Sequence, residues 1–161
     1  MVRSRRSAGS VSGSFWTRRS AAVESAIRRP RWASRTPATS ESRYRWGGRP
    51  LDGSKRYTVT FSELPPVKGF WSITLYDQFH FLAPNALNRF SLGTKSEGLR
   101  FEPDGSLVIY VQKERPEADK VANWLPAPDG AFSLYIRAYW LLPPMQQGRW
   151  TPPPVVPVPQ D

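Results

Sequence analysis

The sequence predicts an all-β fold, a jelly-roll-like antiparallel β-sandwich, on three observations. Short runs of β-branched and aromatic residues recur along it, turn dipeptides such as Asp52-Gly53 and Asp104-Gly105 separate them, and no helical periodicity outlasts two turns. Counting the runs gives about six to eight strands. The body is expected over residues 47–142, between an Arg/Ser-rich segment, 1–46, and a Pro-rich tail, 143–161.

Residues 1–46 carry Arg and Ser with almost no aliphatic side chains, too little apolar surface to offset the entropy of ordering, so disorder is expected there. Composition shifts at Gly47-Gly48, and Leu51-Asp52-Gly53-Ser54 reads as a turn. Lys55 to Phe61 alternates, with Tyr57, Val59 and Phe61 on one face, as a half-buried strand does. Leu64-Pro65-Pro66 interrupts any ladder. Phe70 to Asp77 has apolar side chains on both faces, the pattern of a central strand covered on two sides.

Phe79 to Leu82 continues as a short aromatic stretch stopped by Pro84 and Asn85, and Asn88 to Leu92 has the makings of a further short strand. Leu99-Arg100-Phe101 and Leu107 to Val111 flank Glu102-Pro103-Asp104-Gly105-Ser106 and are expected to pair as a hairpin, with Gly105 in the left-handed region. Glu114 to Ala122 is polar and long enough for one helical turn at most. Asn123-Trp124-Leu125-Pro126-Ala127-Pro128 contains two prolines, so an irregular plug over the end of the sandwich is expected. Ala131 to Trp140 reads as the last strand, with Phe132, Leu134, Ile136, Ala138 and Trp140 inward. The prolines beyond it favour an extended polyproline tail over a packed one. Roughly 95 ordered residues would bury about 60–65% of their unfolded surface, a small core.

The net charge of +10 suggests a polyanion binder until its distribution is read. Twelve arginines against Glu24 and Glu41 precede Pro50, whereas eleven basic residues meet eleven acidic ones from there on. The body is neutral and the charge belongs to the leading segment. That segment admits three readings: a stretch outside the true reading frame or start, a basic arm for nucleic acid or anionic lipid, or a mitochondrial-type presequence. Nucleic acid is not the expected partner. Cysteine is absent, which removes disulfides, thiolate metal sites and a Cys nucleophile and leaves the compartment undetermined. No apolar run approaches the roughly 20 residues that span a bilayer, and the early run Ala21-Ala22-Val23 is too short for a secretory signal, so a soluble chain without export is expected as it stands.

No catalytic set stands out. His80 is the single histidine, so no multi-histidine metal site and no two-imidazole mechanism fits, and neither a Gly-x-Ser-x-Gly elbow nor a Gly-rich phosphate loop occurs. No cofactor is expected. His80, between Phe79 and Phe81, is read as a surface or half-buried strand residue. Asp77 comes directly after the central strand at a loop mouth, where it either caps the next turn or serves a site. Trp71, Tyr76, Trp124, Tyr135 and Tyr139 are amphipathic aromatics, and Asn88, Arg89, Asn123 and Arg137 are polar groups able to converge near them. The ligand-binding candidates are therefore Trp71, Asp77, Arg89, Asn123, Trp124 and Arg137. Arg137 lies mid-strand between Tyr135 and Tyr139: facing inward it needs a partner, facing outward it implies nothing.

These motifs form an ordered set. Pro50-Leu51-Asp52-Gly53-Ser54, the Tyr57 to Phe61 strand, Phe70-Trp71-Ser72 with Tyr76-Asp77, Asn88-Arg89-Phe90-Ser91-Leu92-Gly93, Asp104-Gly105-Ser106-Leu107, Asn123 to Pro128 and Arg137-Ala138-Tyr139 resemble the bacterial domain of unknown function 1214 over about residues 47–157. The resemblance implies a jelly-roll-like domain that ordinarily comes after a companion, domain of unknown function 1254, often behind an export signal. It brings no activity to any position. It implies a truncated member. An aromatic-rich, neutral body without a catalytic set or its usual partner leads to the expectation of a non-catalytic module whose partner is the companion domain or a second copy; an enzymatic or small-ligand site at the candidates above and nucleic-acid binding through the Arg arm are the alternatives.

Overall fold

Alternation in Ala131–Tyr139 buries Phe132, Leu134, Ile136 and Ala138 on one side, and this strand is the one on which most of the first sheet registers. The structure, a computed structural model, describes residues 39–44 and 50–159. Its strands are β1 (Thr39–Tyr44), β2 (Leu51–Asp52), β3 (Arg56–Phe61), β4 (Trp71–Asp77), β5 (Ser91–Gly93), β6 (Leu107–Gln112), β7 (Trp124–Pro126), β8 (Ala131–Tyr139) and β9 (Val155–Val158). One sheet runs β1-β8-β4-β5 with β2 also on β8, and the other runs β7-β6-β3-β9. Pairing is antiparallel except between β6 and β7. The result is an all-β sandwich.

One core lies between the sheets. Tyr57, Val59 and Phe61 of β3 and Leu107, Ile109 and Val111 of β6 join Trp71, Ile73 and Leu75 of β4 and the inward face of β8. Each such side chain contributes about 1.5–3 kcal/mol of transfer free energy. Rings lock the layers: Tyr57 meets Phe132 edge-on at 5.9 Å, and Phe61 meets Trp71 at 5.0 Å. The buried Tyr57 hydroxyl accepts the Asp52 backbone N–H at 3.0 Å, so its polar tip is satisfied. Gly53 donates to the Gly130 carbonyl, and a Cβ there would overlap the Pro128 carbonyl oxygen, which explains glycine at this close approach.

Several expectations hold: the alternation of β3, β4 as an interior strand, and Gly105 at φ 83°. The turn expected over Leu51 to Ser54 forms one residue later, with Lys55 N–H on the Asp52 carbonyl, because Leu51 and Asp52 pair with β8 as β2. Others need correction. Thr39–Tyr44, expected disordered, is a strand on the β8 edge, because a backbone ladder stabilises it where apolar composition does not. The rest of 1–46 lies outside the described residues, as do Gly47 and Gly48. Leu99–Phe101 forms no strand; the 102–106 turn closes, with Glu102 N–H on the Ser106 carbonyl, but β6 pairs with β3 and β7 instead. Trp124–Pro126 is not irregular: it pairs parallel with β6, and Ala127 donates to the Gln112 carbonyl where Pro126 has no N–H to give.

Trp140 leaves the core face. Its φ of 59° ends β8, and the indole is 52% exposed. Phe79 to Leu82 is a turn rather than a strand, with His80 exposed at φ 65°. The tail also folds. After a single helical turn, Pro143–Gln146, the chain buries Trp150, whose indole donates to the Glu63 carbonyl at 3.1 Å, and then adds β9 to the free edge of β3. Prolines suit an edge strand, which needs donors on one side only. No helix among the described residues is long and apolar enough to cross a membrane.

Trp150→Ala should cost about 3–5 kcal/mol in chemical denaturation, as large buried aromatics do; a tail that merely trailed in solvent would leave the midpoint unchanged. Asp52 and Asp104 act through their turns. The Ser54 backbone N–H, then its hydroxyl, holds the Asp52 carboxyl below its ordinary value, and the Ser106 hydroxyl, then its backbone N–H, does the same for Asp104. A depressed folded value means that the stabilisation is present above the unfolded value and is lost as pH falls through the folded one. Asp52→Asn with Asp104→Asn should therefore flatten the acid limb of a stability profile below about pH 4 and leave the neutral slope alone.

Candidate functional site

The end of β4 is built by one carboxylate. Asp77 Oδ1 accepts the Phe79 and Phe81 N–H groups at 2.8 and 2.9 Å, while the Asp77 carbonyl accepts from His80 and its N–H donates to the Phe81 carbonyl. This is the turn-capping role. The tight turn leaves Phe79 and Phe81 69% and 70% exposed, and Leu82, bridged to Tyr76, 45% exposed. Asn85 organises the adjoining loop up to Arg89: its Nδ2 donates to the Ala83 and Arg89 carbonyls and its Oδ1 accepts from Leu87 and Arg89. Leu87 stands 44% exposed on that loop.

Arg89, Asn123 and Trp124 do come together, on the flank of the second sheet. Arg89 Nη1 donates to the Val121 and Trp124 carbonyls at 2.7 and 3.0 Å, closing a 3-10 turn, Val121–Asn123. Asn123 is buried and reads Arg100 as a strand would: Oδ1 accepts its N–H at 2.9 Å and Nδ2 donates to its carbonyl at 2.6 Å. The Trp124 indole donates to the Gln112 carbonyl at 2.8 Å. All three side chains are engaged with backbone groups of the fold itself.

Arg137 lies elsewhere, on the outer face of the first sheet. Its Nη1 donates to the Tyr76 hydroxyl at 3.1 Å, and its guanidinium sits 5.4 Å from the ring centres of Tyr76 and Tyr135. Those rings meet edge-on at 5.4 Å. With His80 they line a shallow cavity of about 230 Å³. Glu41 of β1 is the register partner of Arg137. Trp71 is buried in the core against Phe61. The six nominated residues thus divide among the core, a turn cap, a backbone clamp and a surface cavity.

A larger groove, about 500 Å³, crosses the outer face of the second sheet between Arg56, Tyr110, Arg115, Glu117 and Lys120. Its charges are mixed, with Lys120 paired to Glu117 at 3.0 Å. Burial, and then Glu102, pushes the Tyr110 phenol above its ordinary value. Among the described residues no three His, Cys, Asp or Glu side chains come together in a metal-holding group. Sequence reading missed Asn85 and the outward phenylalanines. The available signal was local: Pro84-Asn85 ends the aromatic run, and Asp77 sits two and four residues before Phe79 and Phe81, the spacing of a side-chain-capped turn.

Asn123→Ala should destabilise by about 2–4 kcal/mol, since it removes two bonds and leaves the Arg100 backbone unsatisfied. Asn123→Asp, which sets a buried carboxylate oxygen against the Arg100 carbonyl, should cost at least as much at neutral pH, as read in urea midpoints.

One solved structure shares this fold and a second matches more weakly. The crystal structure of the VPA0106 protein from Vibrio parahaemolyticus superposes with a TM-score of 0.66 at 29% identity, over 76% of this chain and 31% of that one. A putative uncharacterized protein from Burkholderia cenocepacia gives 0.49 at 16% identity, over 74% and 28%. This chain therefore spans about a third of the length of these relatives. No curated protein matches it. The profile of the family described as "Protein of unknown function (DUF1214)" matches residues 38–144, taking in β1 as well as the expected body, and the chain belongs to that family.

Proposed function

We propose that this domain is a non-catalytic sandwich module that works by associating with another protein body, a companion domain or a second copy. The observation that carries the reading is where the polar side chains go. Asp77, Arg89 and Asn123, the groups best suited by type to chemistry, commit their hydrogen bonds to the backbone of their own fold. Proportion supports it too: the Vibrio protein joins a domain like this one to about twice as much further chain.

A second reading, a small-ligand site, rests on the Tyr76, His80, Tyr135 and Arg137 cavity. Its volume lies below the roughly 300–1,000 Å³ of ordinary ligand pockets, which restricts it to an occupant of a few heavy atoms. Association is the better supported function.

The test is a chimera in which residues 38–159 replace the matching region of the Vibrio protein. Association predicts that the sandwich melts at least several degrees higher in the chimera than in the full chain alone, or that the chain self-associates in light scattering at micromolar concentration. A monodisperse monomer combined with identical melting temperatures would falsify the proposal.

A further inference from the structure

We propose that the outer edge of β1, Thr39–Tyr44, pairs antiparallel with the same edge of a second copy of this chain, two-fold related about Ser42, so that the two first sheets join into one. The inference rests on the association reading and names its partner and its surface.

The four strands that end the two sheets are not alike. β5 has three residues, β7 has three and includes Pro126, and β9 has four and includes Pro157. Shortness and proline both keep an outermost strand from pairing with foreign chain. β1 has six residues and no proline. All of it registers with β8, from Thr39 opposite Tyr139 to Tyr44 opposite Leu134. That ladder holds the backbone extended, and at every second residue an N–H and a carbonyl are directed away from β8. Among the described strands none pairs with this outer edge. A backbone already held in one conformation loses little further entropy when a strand adds to it.

The sequence of β1, Thr-Ser-Glu-Ser-Arg-Tyr, selects both the occupant and the register. Turned end for end about Ser42, it sets Glu41 opposite the partner's Arg43 and Arg43 opposite the partner's Glu41, two opposite-charge cross-strand pairs from one symmetric contact. The neighbouring symmetric registers set Glu41 against Glu41 or Arg43 against Arg43, so like charges exclude them. Within its own sheet Glu41 is the register partner of Arg137. Arg137, Glu41 and the partner's Arg43 therefore alternate in sign across the join.

Sedimentation velocity on the full chain, at about 100 µM because the contact is small, tests the pairing. The native chain should contain dimer. Arg43→Glu and Glu41→Arg should each weaken dimerisation at least ten-fold, since each sets like charges across the join, and an equimolar mixture of the two should restore it, since one variant then offers two acids to the other's two bases. Self-association that Arg43→Glu leaves intact overturns the edge and keeps the association reading. A mixture that stays monomeric while both variants keep the native melting temperature also overturns it. So does a native chain that is monomeric; the melting temperature of the chimera then says whether association with a companion survives, and without a gain there both readings fall. Should a charge variant lose its fold, Ser42→Cys decides, because the chain has no other cysteine. Residues opposed in an antiparallel pair lie about 4.5–5.5 Å apart at Cα, within disulfide range. Ser42→Cys should form a disulfide-linked dimer at least ten-fold faster than Ser62→Cys, which lies at an exposed position outside β1, and equal rates overturn the proposal.

Discussion

Every backbone N–H and carbonyl withdrawn from water must find a partner, and in this domain the strands are too short to supply them all. β5 and β7 have three residues each and β2 has two. Side chains complete what the ladders leave open. Asn123 replaces a missing strand beside Arg100, Arg89 caps the carbonyls that end the 3-10 turn, and Asp77 takes the two donors just beyond β4. Asp77, Arg89 and Asn123 thus complete the backbone bonding of an irregular sandwich.

The same demand arranges the sheet edges. β3 lies between β6 and β9, so the strand with the strictest alternation is closed on both sides by chain that arrives from far along the sequence. β9 reaches that edge through a proline-rich approach anchored by Trp150. Pro157, the one proline within β9, also has no N–H to offer a foreign chain.

Once the core, the clamps and the edges have taken their residues, the surface retains a mixed-charge groove, a small tyrosine-lined cavity and an exposed aromatic loop. Exposed rings remain at Phe79, Phe81, Phe101 and Trp140.

Period-two patterning was enough to identify β3 and the inward face of β8 as far as Ala138, and β-branched and aromatic composition identified β4, because both are properties of neighbouring residues; Trp140, at φ 59°, left the pattern. Turn chemistry was equally local, so Asp52-Gly53 and Asp104-Gly105 were legible as they stand. Long-range pairing was not. Nothing in Leu99–Phe101 announces that its partner is the amide of Asn123 rather than β6, nothing in Val155–Val158 announces the vacant side of β3, and composition argues against a strand at Thr39–Tyr44. Those choices belong to the tertiary structure, because a backbone bond is decided by which edge is free when the chain arrives, and that edge is made by residues far away in sequence.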